Sequence, residues 1–407
     1  MEISGSLGRQ LAAVSRRMKL LRAFLLIPAA MVVVGIRVLD LFGVNIKFSN
    51  FFSPRIGHLV GNTEVYLCER DMGMHSGTHI WTHYGPVASE QIALMWKRVM
   101  RVWPSHFTAL VILINKMFKG WEKHEIGTNT NDRDPHNLLE KCKPHLKFTA
   151  EEMKRGEAQL REWGLPAGAQ WVCLMVRDAA YLPQLGYHSY RDCDVDTYEE
   201  AALMLAERGY YVFRMGKKVA KPFAAKHPRI RDFATDGTYS DFMGVYLGAY
   251  CAFCISTSTG WDAIPQAFRR PMCYTNFAPY EYMPTWLPNS LAIWKHHLKD
   301  GKRMSVDEIA KSDAGKFMRA DEFENAGITL MYNTPQEIVD VVHEMADMIE
   351  GRFHPGSQAF WDAFPKSELH GEIRMRIGSK FLEAYDAEGQ EDSSGDTGSR
   401  RLQAGAV

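Results

Sequence analysis

The sequence predicts an α/β protein made of two Rossmann-like domains, and three observations carry the prediction. From Trp171 onward, short unbroken apolar runs alternate with capped helical stretches, the pattern of a parallel sheet covered on both faces. The chain has 407 residues, 46% of them hydrophobic, which is more than one core ordinarily serves. Between Gly120 and Pro144 it turns polar, with Asn129, Asn131, Asp132, Asp134, Pro135 and Asn137, the composition of an interdomain boundary or a long surface loop.

The first 44 residues stand apart. Arg9, Arg16, Arg17, Lys19 and Arg22 precede an apolar run over 23–36, which Arg37 and Asp40 then interrupt. The run is short of the roughly 20 residues a spanning helix needs, Pro28 lies inside it, and no small-x-small cleavage site follows directly. It reads as an interfacial anchor, with the bases on anionic cytoplasmic lipid and Phe24, Leu25, Leu26 and Val32 to Val34 in the acyl boundary. A first core helix with a basic lead is the alternative.

From 45 to 67 the chain breaks into short apolar pieces at Pro54, Gly57 and Gly61, and Val65 to Cys68 fits either a strand or a helix start. Ile92, Met95, Trp96 and Val99 recur at helical spacing within a helix predicted over 90–103. Thr149 and Glu152 form a capping-box pattern that opens a helix to Trp163, stopped by Gly164 and Pro166. Strands follow at 171–176, 210–213, 229–233, 251–255 and 271–274, and helices at 197–208, 240–249 and 261–268. Thr334 and Pro335 start a helix to Glu350, a further helix spans 358–385, and residues from 388 lack the apolar content to fold. The predicted organisation is an anchor over 1–44, domains over 45–165 and 166–353, a C-terminal helix within 354–387 and a disordered tail over 388–407.

Composition excludes some functions. Lys plus Arg (48) equals Asp plus Glu (48), so nucleic acid is not an expected partner. Seven cysteines, odd in number and scattered through apolar segments, imply reduced thiols in the cytoplasm, and Cys251 with Cys254 reads as a buried pair of structural thiols. No predicted strand is followed by the glycine pattern of a nicotinamide site.

In an open parallel sheet the ligand lies beyond the carboxyl ends of the strands. The predicted strands end at Arg177-Asp178, at Arg214 followed by Gly216-Lys217, at Ser256-Thr257-Ser258-Thr259-Gly260, and before Asn276. Such an edge suits a diphosphate: the arginines offer paired donors, while the turn opening a helix offers N–H groups, the helix dipole and hydroxyls. Taken singly, the turn is also a plain N-cap and each arginine a solvated or Asp-paired side chain. The loop after the first of these strands holds His188, Arg191, Asp192, Asp194 and Asp196. Its Asp-x-Asp tripeptides fit a divalent ion, although capping of the next helix explains them more simply.

These motifs bring a resemblance with them. Arg177-Asp178, Tyr187 to Arg191, Tyr211 to Gly216, Ser240 to Met243, Ser256 to Gly260 and Asn276 to Pro279, with Arg55 to Leu59 and Asn62 upstream, resemble a family of bacterial glycosyltransferases associated with surface-polysaccharide synthesis. The resemblance implies a GT-B architecture, with two Rossmann-like domains facing across a cleft, a nucleotide-sugar donor on the C-terminal one and a glycan or lipid-linked acceptor on the N-terminal one. In such folds a C-terminal helix often crosses back to the first domain, a part that 358–385 would play. The resemblance further implies that leaving-group charge is met by cationic side chains and helix N-termini, with no metal or other cofactor. An inverting enzyme of this kind needs a base for the acceptor hydroxyl; His58 is the first choice, with Asp71 and Glu64 behind it, and a His58 satisfied by local backbone is the alternative. The expected location is the inner face of the cytoplasmic membrane. Another nucleotide-sugar enzyme, such as an epimerase or a polysaccharide-modifying transferase, and a non-catalytic membrane-surface scaffold are the competing readings.

Overall fold

The structure, a computed structural model, describes residues 16–385 except 128–132, 182, 353, 355, 365 and 369. Arg9, Asn129, Asn131, Asp132 and the predicted tail over 388–407 therefore lie outside the described residues. The chain forms two compact units, Met1–Asp132 and Arg133–Val407. Residues 133–165, which the sequence reading put in the first domain, belong to the second.

In the first unit a helix α1 (Arg16–Leu41) leads into strand β1 (Ile46–Phe51). A π-helical turn at His58–Asn62 continues as α2 (Thr63–Asp71), which returns the chain to β2 (Thr78–His83). Helix α3 (Glu90–Val99) begins on Ser89, whose hydroxyl accepts from Ile92 N, and ends earlier than its periodicity predicts. Met100 turns extended there, so that Arg101–Val102 form β3 and pair in parallel with Ile80 and Trp81. Helix α4 (Ser105–Asn115) follows. The strands run parallel in the order β1-β2-β3. Ala29, Val33 and Ile36 of α1 pack with Leu110 and Val111 of α4 on Phe48 and Ile80, which share one sheet face. The other face carries Phe51, Trp81 and His83 in one aromatic cluster with Tyr66 of α2.

In the second unit a short helical turn at Leu138–Lys141 precedes α5 (Ala150–Glu162), where the predicted capping box is present: Thr149 Oγ1 accepts from Glu152 N at 3.2 Å and Glu152 accepts from Thr149 N at 2.8 Å. A side chain at Gly156 would strike the Tyr246 ring, which ties this helix to the second unit. The succession is then β4 (Trp171–Met175), α6 (Glu199–Glu207), β5 (Tyr211–Arg214), β6 (Ile230–Arg231), α7 (Asp241–Tyr250), β7 (Phe253–Ser256), α8 (Ala263–Ala267), β8 (Met272–Phe277) and β9 (Leu291–Trp294). After β9, β10 (His296–Lys299), β11 (Lys302–Arg303) and β12 (Ile328–Met331) make a small separate sheet, and α9 (Pro335–Ile349) begins on the predicted Thr334 cap.

The predicted single helix over 358–385 is not one element. Helix α10 (Gln358–Ala363) is followed by β13 (Arg376–Ile377), which adds to β9 in parallel, and residues 379–385 are helical. This segment closes over the second unit's own sheet, with Phe381 and Tyr385 against Trp294, and does not form a crossing helix. Gly371, at φ 58°, interrupts the run, and a side chain there would strike the Pro135 carbonyl.

The main sheet is all parallel, in the order β13-β9-β8-β7-β4-β5-β6. Counted from β4, the six strands other than β13 run 3-2-1-4-5-6, the doubly wound Rossmann order, and the direction of winding reverses between β4 and β7. Every residue of β4, β7, β8 and β9 is buried, which is why these strands read as unbroken apolar runs.

Candidate functional site

The reversal of strand order opens a crevice at the carboxyl ends of β4 and β7, and two of the sequence-predicted groups meet there: Arg177 beyond β4 and the 256–260 turn beyond β7. Arg177 N donates to Thr257 Oγ1 at 2.9 Å, joining the two strand ends. Ser258 takes φ 65°, a conformation rare for serine that persists only where surrounding contacts hold it. One such contact is Arg191, whose Nη2 donates to the Ser258 carbonyl and lies 3.4 Å from its hydroxyl.

Two hydroxyls of the turn donate within it. Ser256 Oγ and Thr259 Oγ1 donate to Asp262 at 2.7 and 2.8 Å, and Asp262 also accepts from Thr259 N at 2.8 Å. Burial pushes the Asp262 carboxyl up to about 6 against these hydrogen bonds. Ser256 and Thr259 thus have their hydroxyl protons engaged, whereas Thr257 accepts from Arg177 N. Ser256, Thr257 and Thr259 shape the turn, whereas Ser258 and Gly260 lie at its tip, and the helix it opens is short, a turn at Gly260–Asp262 followed by α8. Asp262 was missed, although Thr259-x-x-Asp262 is itself a capping-box spacing.

Arg177 pairs with Asp192, Nε to Oδ1 at 3.0 Å, and both are largely shielded from water. An ion pair alone raises an arginine and lowers an aspartate, yet here both shifts run the other way. Burial comes first in each case, and the Arg191 charge further depresses Arg177. Two arginines thus crowd one partly desolvated crevice, where the charge of an added anion counts for more than in water. Lys295, just past β9, is buried and donates from Nζ to the carbonyls of Tyr190 and Asp192, both at 2.7 Å. It fixes the loop that carries Arg191, and burial lowers its pKa. The sequence reading did not find it because it did not find β9.

Several other predicted residues have partners within the second unit. Arg214 is almost fully buried, with Nη1 3.3 Å from Asp232 and Nη2 4.0 Å from Asp178, so it braces the strand edge through these carboxylates. Asp178 accepts from Ala180 N and Ala220 N, both at 2.9 Å, and so links the loops after β4 and β5. Gly216 is needed because a Cβ there would lie 2.5 Å from Val219, and Lys217 is exposed on the same loop. Asn276 is buried in a reciprocal pair with Asn333, N–H to side-chain oxygen at 2.6 Å in each direction, and donates to Tyr198. His188 sits half-buried between the rings of Tyr187 and Tyr190. The acidic tripeptides are engaged by cations: Asp192 by Arg177, and Asp194 and Asp196 by Lys221 at 2.6 and 2.5 Å, with Asp194 also capping the turn before α6.

In the first unit, His58 opens the π-helical turn just beyond β1, an irregularity frequent at functional sites. Its Nδ1 lies 3.3 Å from Asn62 Oδ1; with that oxygen as acceptor, Nε2 is the basic nitrogen. Glu64 is buried in the first turn of α2, and Asp71 is exposed at its far end, about 10 Å along the axis by helix rise, so these three do not converge.

No protein-family model matches the chain, and no curated protein does. Among solved structures it is similar to the ADP-heptose heptosyltransferase II of E. coli lipopolysaccharide, at 12% identity and a TM-score of 0.45 over 75% of this chain and all of that one. It is similar to a family 9 glycosyl transferase of Veillonella parvula, at 11% identity and a TM-score of 0.44 over 74% of this chain and 97% of that one. The wall teichoic acid polymerase TagF matches over 91% of this chain and 98% of its own, at 10% identity and a TM-score of 0.30. Identity this low leaves the substrates in those names as statements about those proteins.

Proposed function

We propose that this chain is a glycosyltransferase that moves a sugar from a nucleoside-diphosphate sugar to a cell-surface glycan or lipid-linked acceptor, at the inner face of the cytoplasmic membrane and without a metal ion. The observation that carries the reading is the pair Arg177 and Arg191 set at the switch point of a Rossmann-ordered sheet, beside a turn held open by Asp262. As the glycosidic bond to the β-phosphate breaks, negative charge grows on the leaving diphosphate, and fixed guanidinium groups in a partly desolvated crevice stabilise that charge more than the ground state. Asp192, Lys295 and Arg214 position them. His58 is proposed as the base that takes the acceptor hydroxyl proton through Nε2.

The membrane part of the reading rests on α1. Its inner face packs on the first unit's core, while Phe24, Ile27, Met31, Val34, Val38 and Leu41 form an outward apolar stripe at helical spacing, with Phe24 77% and Leu41 82% exposed. A helix apolar on both faces with only one covered suits the plane of a membrane interface. Incubation with a panel of nucleotide-sugars tests the activity: one donor is expected to release its nucleoside diphosphate, and failure of every nucleoside diphosphate to bind in calorimetry would overturn the reading.

A further inference from the structure

The helices of the first unit return the chain from the carboxyl to the amino ends of its parallel strands, so α2, α3 and α4 all finish at the amino edge, where α1 also ends. Hydrogen bonds confirm the gathering: Arg37 near the end of α1 donates to Asn115 Oδ1 at 2.9 Å and to the Lys119 carbonyl at 3.2 Å, and His124 Nδ1 meets the Ile46 carbonyl at 2.9 Å. Two features coincide on this edge. Leu41, Phe42, Val44, Met72 and Met74 project into solvent, Phe42 with 78% of its surface exposed, and Met117 joins them from the end of α4. Beside them a cavity of about 430 Å³ is lined by Arg70, Arg98 and Arg101 together with Gly77, His79 and Trp81.

The cavity is built for an anion. Three arginines from α2, α3 and β3 share its wall, and neither Arg70 nor Arg101 is paired with a carboxylate among the described residues. His79 is scaffold, its ring held between the Tyr66 hydroxyl and the Ser76 carbonyl. Trp81 is buried, and its indole N–H finds no acceptor among the described residues. Gly77, on the cavity wall, has a φ of 96° that disfavours any larger residue, and a side chain there would strike the Asn45 carbonyl. Guanidinium groups match phosphate oxygens in geometry as well as charge.

We propose that this amino edge rests on the membrane and that the Arg70–Arg98–Arg101 cavity receives the phosphate of an anionic lipid headgroup, while the surrounding apolar side chains enter the acyl boundary. The charge complements an anionic leaflet, and the apolar projections continue the outward stripe of α1 at Leu41, so one surface supplies both terms of interfacial binding. This deepens the membrane-surface reading of α1, and the two fail separately in one experiment. Flotation of the full chain is measured with phosphatidylcholine vesicles and with the same vesicles containing phosphatidic acid. The wild type is expected to favour the anionic vesicles by roughly a hundredfold, as three arginines at the surface supply. Substituting R70Q, R98Q and R101Q together removes that preference but leaves binding to neutral vesicles through α1. The charge-matched set K154Q, K299Q and K302Q keeps the preference, and glycerol 3-phosphate displaces the wild type from anionic vesicles. Equal loss in both charge sets, or a cavity variant that keeps its preference, overturns the phosphate site. Wild type that ignores neutral vesicles, or an I27D/M31D variant that binds them as well as wild type does, overturns the α1 reading; glycerol 3-phosphate binding to the wild type and not to the cavity variant then decides the cavity by itself.

Discussion

Arg177 and Arg214 each follow a strand of the same sheet, and from the sequence they are equivalent; burial separates them. Arg177 keeps part of its guanidinium at the crevice, whereas Arg214 is enclosed with Asp178 and Asp232. Arg177→Ala is therefore expected to weaken nucleoside-diphosphate binding by about 1.5 to 3 kcal/mol, the worth of a charge-assisted contact, and to lower the melting temperature less than Arg214→Ala does, because it strands only the partly exposed Asp192. Arg214→Ala leaves two carboxylates short of a partner and is expected to cost about 3 to 5 kcal/mol of stability. His58→Ala is expected to leave nucleotide affinity intact and to cut turnover by roughly 100-fold. Calorimetric titration and thermal melts of the three variants check the order; nucleotide affinity unchanged in Arg177→Ala would move the donor site elsewhere. The sequence supplied Arg177, Arg191 and the 256–260 turn, because strand-end position is readable from an apolar run. It did not separate the proposed phosphate contacts from buried supports, since exposure is a property of what packs over a residue.

At the scale of elements, α6 and α9 are joined by an ionic cluster on Asp347. Its carboxylate accepts from Arg208 and lies 2.8 Å from Arg352, 3.0 Å from His354 and 3.3 Å from His343. Burial alone would raise this carboxyl, but hydrogen bonds from Arg208 and His354 and the Arg208 charge outweigh it and hold it down to about 2. A depressed carboxyl contributes stability that is complete above its unfolded value near 4 and is lost as pH falls through 4 toward 2. Asp347→Asn is thus expected to lower the melting temperature at pH 7 and to flatten its fall between pH 4 and 2. A variant with the wild-type profile would assign that acid sensitivity to other groups. Caps such as Thr149 and Thr334 were legible because a cap is a local bond within three residues. The segment 358–385 was misread as one helix because its apolar spacing fits a helix, while the strand pairing of Arg376–Ile377 depends on β9, more than 80 residues earlier.

For the molecule as a whole, charge is balanced and the cationic character of both proposed sites is local. In the second unit the acidic side chains nearest the crevice are already held by Arg177 and Lys221, so catalysis is expected to persist in EDTA; loss of activity restored by magnesium or manganese would instead give Asp192, Asp194 and Asp196 a metal. The sequence by itself determined that the chain is α/β with parallel strands, that Cys251 and Cys254 are buried thiols, and that a basic and apolar segment leads it, because composition, periodicity and capping act over a few residues. Only the tertiary structure decided the strand order that puts Arg177 beside the Ser258 turn, the burial of Arg214 and Asn276, the recruitment of Lys295, and the meeting of Arg70, Arg98 and Arg101 around one cavity. Each of these depends on which distant segments become neighbours in the folded chain, and that is set by the packing of apolar faces and not by any local sequence signal.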